Sequence, residues 1–199
     1  MSQLRIKAGK SAYELIQDGG FNFDLVSSYF GPAAGPRWLI YSGFDLALLQ
    51  NGVLGNTSAV HLIGSSAGAW RFAAWLQPLA VACYNKLLDG YINTTYDKTD
   101  TPATVLKKLE QLIDTYLETD ALPFALANKK YRLAIKTARG RNLVASEKIW
   151  LQKVGLAACY LLNIFSRNNI YRFVERVVFY DGSRPPEFCF RASSSTCSS

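Results

Sequence analysis

The sequence predicts an α/β fold with a mainly parallel central sheet. A strand–loop–helix unit is followed by a strand–turn–helix unit, and apolar residues recur at helical spacing between short apolar runs that end in Gly, Pro or Asn. A chain of 199 residues, 49% of them hydrophobic, is long enough for one sizeable core. We expect one α/β domain over residues 1–190 and a Ser-rich, disordered tail over 191–199.

The first half of the chain supplies the alternation of strands and helices. The predicted elements are a helix closed by Gly19-Gly20, a strand over 23–29, a helix over 38–50, a strand over 58–63 and a helix from about Ala69. Pro78 is expected to break or kink the last of these helices.

The second half continues with longer helices. A helix starts at Thr101-Pro102, where Thr is a good N-cap and Pro suits the first turn. A strand over 131–137, a buried helix over 149–165 and a strand over 174–180 follow.

Composition excludes several classes of function. The formal net charge is +7, but the basic residues are spread along the chain and form no block interleaved with aromatic residues, so we expect no nucleic-acid partner. Four cysteines without C-x-x-C spacing and a single histidine predict no metal site, and no cofactor is expected. Residues 1–10 contain no apolar run and 149–165 is too polar to span a bilayer, which favours a cytoplasmic protein, with peripheral membrane contact as an option.

The most informative feature is the sequence Gly-Ser-Ser-Ala-Gly at residues 64–68, which fits G-x-S-x-G. A predicted strand precedes it and a predicted helix follows it, so its central residue, Ser66, would sit on a strained strand-to-helix turn that projects the side chain. Gly64 and Gly68 would allow strand and helix to approach closely, and the helix N-terminus would lie beside the hydroxyl. The alternatives are a small-residue turn and a phosphate-binding loop.

The single histidine restricts the chemistry that Ser66 can perform. His61 lies five residues before Ser66 on the predicted strand, about 16 Å away along an extended chain. An α/β-hydrolase triad, whose histidine follows the serine in the chain, is therefore excluded. If Ser66 is a nucleophile, its base is a carboxylate or a lysine.

A serine on such an elbow without a histidine resembles the patatin-like phospholipases, which use a Ser–Asp dyad. Their oxyanion loop reads G-G-G-x-R-G after the first strand, and residues 33–38 here read Ala-Ala-Gly-Pro-Arg-Trp at a similar place. Gly35 and Arg37 match that pattern, while residues 33, 34 and 38 depart from it. The variant is similar to a bacterial branch of the family, most clearly over residues 23–76.

The resemblance implies a three-layer α/β/α domain whose nucleophile is Ser66. The amides of Ala34 and Gly35 would form the oxyanion hole, and Arg37 would fix the loop or meet a phosphate head group. The substrate would be a lipid or another acyl ester.

The catalytic Asp that the family requires is the weak part of the resemblance. Asp181, before Gly182, is the nearest candidate, but the surrounding residues are typical of a strand and its turn. We therefore expect the dyad Asp to be absent and the domain to be incomplete at its C-terminal end.

Three functions remain open at this point. The first is a lipid acyl-hydrolase, and the second is an acyltransferase on the same scaffold. The third is a catalytically inactive fragment or pseudoenzyme that binds lipid. A nucleotide-binding domain is a distant alternative, because no G-x-G-x-x-G or Walker-type lysine follows either strand.

Overall fold

The computed structural model describes residues 7–181 and the backbone of 195–198. Its seven helices are α1 (Lys10–Gly19), α2 (Ser42–Asn51), α3 (Ala67–Trp75), α4 (Ala80–Asn93), α5 (Pro102–Tyr116), α6 (Ala121–Ala127) and α7 (Ile149–Phe165). Its strands are β1 (Ser28–Gly31), β2 (Val60–Gly64), β3 (Tyr131–Gly140), β4 (Val174–Tyr180) and β5 (Ser195–Ser198). Short 3₁₀ helices cover Phe23–Leu25, Gly35–Tyr41, Asn142–Ala145 and Arg167–Arg172.

The five strands form one open sheet in the order β1-β2-β3-β4-β5. β1 pairs with β2, β2 with β3 and β4 with β5 in parallel, whereas β3 and β4 are antiparallel. The fold is therefore α/β with a mainly parallel sheet, as predicted, and is consistent with a three-layer α/β/α arrangement. Ser195–Ser198 lie within the segment expected to be a disordered tail, yet they pair with β4.

The main core lies between one face of the sheet and helices α2 to α5. Strand alternation directs Tyr29, Leu62 and Leu133 towards that face, where Phe72 and Trp75 of α3 pack on them. The rings of Tyr29 and Phe72 lie 5.3 Å apart, within the range of favourable aromatic contacts. This packing fixes α3 across β1 and β2.

Several predicted elements are confirmed and two need correction. The bounds of α7 and β4 match the sequence prediction, and α3 ends before Pro78 as expected. The predicted strand over 23–29 is wrong in its first part, because the Asn22 side chain accepts a hydrogen bond from the Asp24 N–H at 3.0 Å and starts a 3₁₀ turn. The predicted helix over 38–50 is divided into a 3₁₀ helix and α2.

The predicted burial of α7 is also wrong. Of its 17 residues, only Gly155 and Cys159 are buried. Among the described residues, α7 is covered on one side only. The 3₁₀ helices Asn142–Ala145 and Arg167–Arg172 pack against that side. Within the described part of the chain, no helix combines the length and the hydropathy needed to cross a membrane.

Candidate active site

Ser66 occupies the sharp turn between β2 and α3. It is the N-cap residue of α3, with φ 52° and ψ −126°. Only one other non-glycine residue in the described ranges, Asn142, has a positive φ. A backbone in such a sparsely populated region costs about 1–3 kcal/mol and persists only where its surroundings impose it. The turn projects Ser66 outward, and its side chain is exposed.

Three glycines impose this conformation. A Cβ on Gly64 would lie 2.5 Å from the Cα of Ala69, and a Cβ on Gly68 would overlap the carbonyl group of Gly31. A Cβ on Gly31 would in turn lie 2.9 Å from the Cα of Gly68. The first turn of α3 therefore rests directly on the backbone at the ends of β1 and β2, and no side chain fits between them.

The loop after β1 lies beside the elbow. Gly31 pairs with Gly64 in the parallel ladder, and the Ser65 N–H donates to the Gly31 carbonyl at 3.0 Å. The chain then leads into the 3₁₀ helix Gly35–Tyr41, which contacts α3. The structure thus brings the predicted oxyanion loop and Ser66 to the same end of the sheet.

The amides of this loop are available. Neither the Ala34 N–H nor the Gly35 N–H has a hydrogen-bond partner within residues 7–181. Gly35 has φ +52°, a left-handed conformation that favours glycine. The Ala67 N–H, at the first position of α3, is likewise without an acceptor there. Ala67 is not among the donors predicted from the sequence, although the residue after the nucleophile on such an elbow is an expected donor.

The Arg37 side chain has a less defined place. It is exposed, and it makes no ion pair or side-chain hydrogen bond within the described part of the chain. Its backbone N–H donates to the Ala34 carbonyl at 3.3 Å, which closes the turn of the loop.

His61 and Asp181 both lie away from Ser66. His61 is on β2, and strand alternation directs it to the face opposite α3. The Asp181 N–H donates to the Leu133 carbonyl on β3, which places Asp181 two strand spacings, about 10 Å, from β2. Leu133 is level with Leu62, which precedes the end of β2. The register therefore keeps the Asp181 carboxylate out of reach of the Ser66 hydroxyl.

The Asp181 carboxyl group has an unfavourable environment. Its side chain is 7% exposed, and the Arg132 Nη1 atom lies 3.9 Å from its Oδ2 atom. The Oδ2 atom is buried without a hydrogen bond among the described residues. Burial raises the pKa of the Asp181 carboxyl group above its usual value, against the opposing effects of the Leu133 backbone and the Arg132 charge.

A buried ion pair anchors α3 to its neighbours. Asp45 on α2 accepts hydrogen bonds from Arg71 Nε at 2.6 Å and Arg71 Nη2 at 2.7 Å. Tyr29 of β1 and Tyr84 of α4 donate to the same carboxylate at 2.7 Å and 2.5 Å. Both charged side chains are almost fully buried. The four residues therefore connect α3, the helix that Ser66 caps, to β1, α2 and α4.

The environment of the cluster raises the pKa of Arg71, Tyr29 and Tyr84. Burial opposes the charged form of Arg71, but the hydrogen bonds and charge of Asp45 outweigh it and raise the Arg71 pKa. The pKa values of Tyr29 and Tyr84 are also raised, mainly by burial and to a smaller extent by the negative charge of Asp45. Because four donor groups already occupy the Asp45 oxygens, Asp45 is a positioning residue and has no free lone pair to act as a base.

No metal centre accompanies this site in the described residues, where His, Cys, Asp and Glu form no group able to hold an ion. The chain matches no family model, no curated protein and no solved structure.

We expect Gly68→Ala to destabilise the protein by at least about 1–3 kcal/mol, because its Cβ would overlap the Gly31 carbonyl group. Urea unfolding followed by circular dichroism measures the change in the free energy of unfolding. Gly43→Ala in α2 is the matched control: a Cβ there meets nothing within 4 Å, and the change should be neutral or stabilising. Equal stability of Gly68→Ala and the wild type would contradict the close approach.

We expect Asp45→Ala to cost about 3–5 kcal/mol, because it leaves the Arg71 guanidinium buried and unpaired. The same denaturation experiment provides the measurement. Lys108→Met, which removes the partly exposed pair with Asp100, is the control and should cost far less. If the two variants lose similar stability, the buried cluster does not hold α3 in place.

Proposed function

We propose that this chain is a serine acyl-hydrolase of the patatin-like kind, acting on lipid or other acyl esters through Ser66. The observation that carries the proposal is the backbone of Ser66, held at φ 52° and ψ −126° with its hydroxyl exposed at the N-terminus of α3. Strained, exposed serines at strand-to-helix turns are typical of nucleophiles. An ordinary helix cap has no need of this conformation.

The chemical steps follow from the groups around the elbow. The Ser66 Oγ attacks the ester carbonyl carbon, its proton passes to a solvent water molecule, and negative charge develops on the carbonyl oxygen. The amides of Ala34, Gly35 and Ala67 are the donors proposed to stabilise that oxygen. A proton returns from water to the departing alkoxide when the intermediate collapses to the acyl-enzyme and the alcohol. Water then hydrolyses the acyl-enzyme to the carboxylic acid and free Ser66.

The general base is the part of this mechanism that the described residues do not supply. The Ser66 hydroxyl makes no hydrogen bond to any carboxylate, histidine or lysine in residues 7–181. A missing general base typically lowers the rate by about 10²–10⁴-fold. This observation favours a second candidate, a pseudoenzyme that retains the fold and binds lipid.

Labelling with a fluorophosphonate probe tests the nucleophile. We expect the wild-type chain to be labelled and Ser66→Ala to lose all labelling, because the probe reacts with an activated serine hydroxyl. Ser65→Ala, the adjacent substitution, should keep most of the labelling, since the Ser65 side chain is not the one that the turn projects. An unlabelled wild-type chain with a native circular dichroism spectrum would reject the hydrolase and favour the lipid-binding pseudoenzyme.

Asp181→Asn separates this residue from the chemistry. We expect the labelling rate of Ser66 to stay within about twofold of the wild type, because the strand register keeps the two side chains apart. Burial raises the pKa of Asp181 in the folded protein above its value in the unfolded chain. The folded protein therefore loses stability as the pH rises from the unfolded pKa towards the folded pKa, because ionisation of Asp181 is easier in the unfolded chain. The variant should therefore be as stable as the wild type or more stable at neutral pH. A hundredfold loss of labelling would identify Asp181 as the base.

A further inference from the structure

α7 exposes its large apolar side chains. Trp150, Tyr160 and Phe165 are 63%, 71% and 85% exposed. Val154, Leu161 and Ile164 each have about half of their surface exposed, or more. At 100° per residue these six side chains fall within an arc of about 140° on one side of the helix. We call them the α7 face. Its one charged residue is Lys153.

The opposite side of α7 is the one that packs on the protein. A Cβ on Gly155 would lie 2.8 Å from the Leu143 Cβ, so the helix approaches the 3₁₀ helix Asn142–Ala145 closely. Cys159, one turn later, is buried on the same side. This arrangement inverts the usual surface helix, in which large apolar residues point inward and polar residues point outward. The orientation of α7 is therefore set by small residues, and the α7 face remains uncovered within the described ranges.

Basic residues lie on the α7 face and in the segments at both ends of α7, and we call them its basic margin. Residues 147–172 contain four basic residues, Lys148, Lys153, Arg167 and Arg172, and one acidic residue, Glu147. All of them are exposed. An apolar surface with aromatic residues and a basic margin suits the boundary between lipid head groups and acyl chains, where Trp and Tyr are enriched and lysine extends to the phosphates.

The chain leads into α7 from the end of the sheet that carries Ser66. Ile135 of β3 pairs with Gly64, the last residue of β2, and β3 continues for five more residues to Gly140. At about 3.3 Å per residue, β3 extends roughly 16 Å beyond the end of β2. The 3₁₀ helix Asn142–Ala145 and α7 follow from that extension. A lipid surface in contact with α7 would thus meet the same end of the domain as the elbow.

We propose that α7 is a docking helix that inserts its face into an anionic phospholipid surface. This proposal rests on the proposed function, because the docking helix would bring Ser66 to lipid esters. Electrostatic attraction to anionic head groups and burial of the apolar side chains act together, as two such contributions are needed for stable peripheral binding.

A second copy of the chain fits this face less well. A symmetric dimer would place the same patch against itself, and its basic margin would meet another basic margin. Like charges brought together in this way oppose association. The charge of the surface therefore favours an anionic partner.

Vesicle co-sedimentation tests the docking helix, with Ser66→Ala as the parent protein so that turnover cannot affect the result. We expect binding to phosphatidylglycerol vesicles and much weaker binding to phosphatidylcholine vesicles. Ile164→Ser/Phe165→Ser should weaken binding about tenfold or more, because two exposed apolar side chains are lost. Lys153→Glu should weaken it severalfold and make it less sensitive to salt.

Matched changes elsewhere on the surface provide the controls. Ile92→Ser/Leu106→Ser removes two apolar side chains of similar exposure from α4 and α5, and Lys107→Glu reverses a charge on α5. Both should bind like the parent.

Three results would overturn the docking helix: absence of binding by the parent, unchanged binding of the α7 double variant, or an α7-dependent dimer by sedimentation velocity without vesicles. None of them bears on whether Ser66 reacts with a fluorophosphonate. Conversely, an unreactive Ser66 would leave vesicle binding unaffected.

Discussion

The contact between the first turn of α3 and the end of β1 is the constraint on which the rest of the site depends. Gly31 and Gly68 touch through their backbones, and Gly64 allows the same approach to β2. With the helix this close, the chain has only two residues, Ser65 and Ser66, in which to reverse direction. The positive φ of Ser66 is the consequence, and the projecting hydroxyl follows from it.

A second device keeps this strained turn in place. The Asp45–Arg71 pair, with the two tyrosine donors, joins α2, α3, α4 and β1 in the interior. Buried ion pairs contribute little net stability compared with apolar packing, but they tolerate few alternative arrangements, since each unpaired charge would be costly. We infer that the cluster specifies the position of α3 more than it stabilises the domain.

The elbow could be predicted from sequence because its determinants are local. A short apolar run, two glycines and a helical pattern lie within about 20 residues, and each restricts the backbone in a known way. The Asp45–Arg71 pair could not be predicted from the sequence, because the two residues are 26 positions apart. Charged residues in a helix also ordinarily indicate an exposed surface. The prediction that α7 is buried was wrong for a related reason. An apolar run of 17 residues predicts a helix, but the run carries no information on which part of the protein covers it.

Ser66 and the loop after β1 lie at the end of the sheet from which β3 extends towards α7, and we propose that one lipid surface reaches both α7 and the elbow. In the proposed reaction, Ser66 and the loop amides act on one ester group: Ser66 attacks its carbonyl carbon and the amides bind its oxygen. The most direct measurement is a crystal structure of the chain after reaction with a phosphonate ester. We expect the phosphorus atom to be bonded to the Ser66 Oγ and the phosphoryl oxygen to lie about 3 Å from the Ala34 and Gly35 nitrogens. An unmodified Ser66, or a phosphoryl oxygen directed away from those amides, would contradict the proposed reaction.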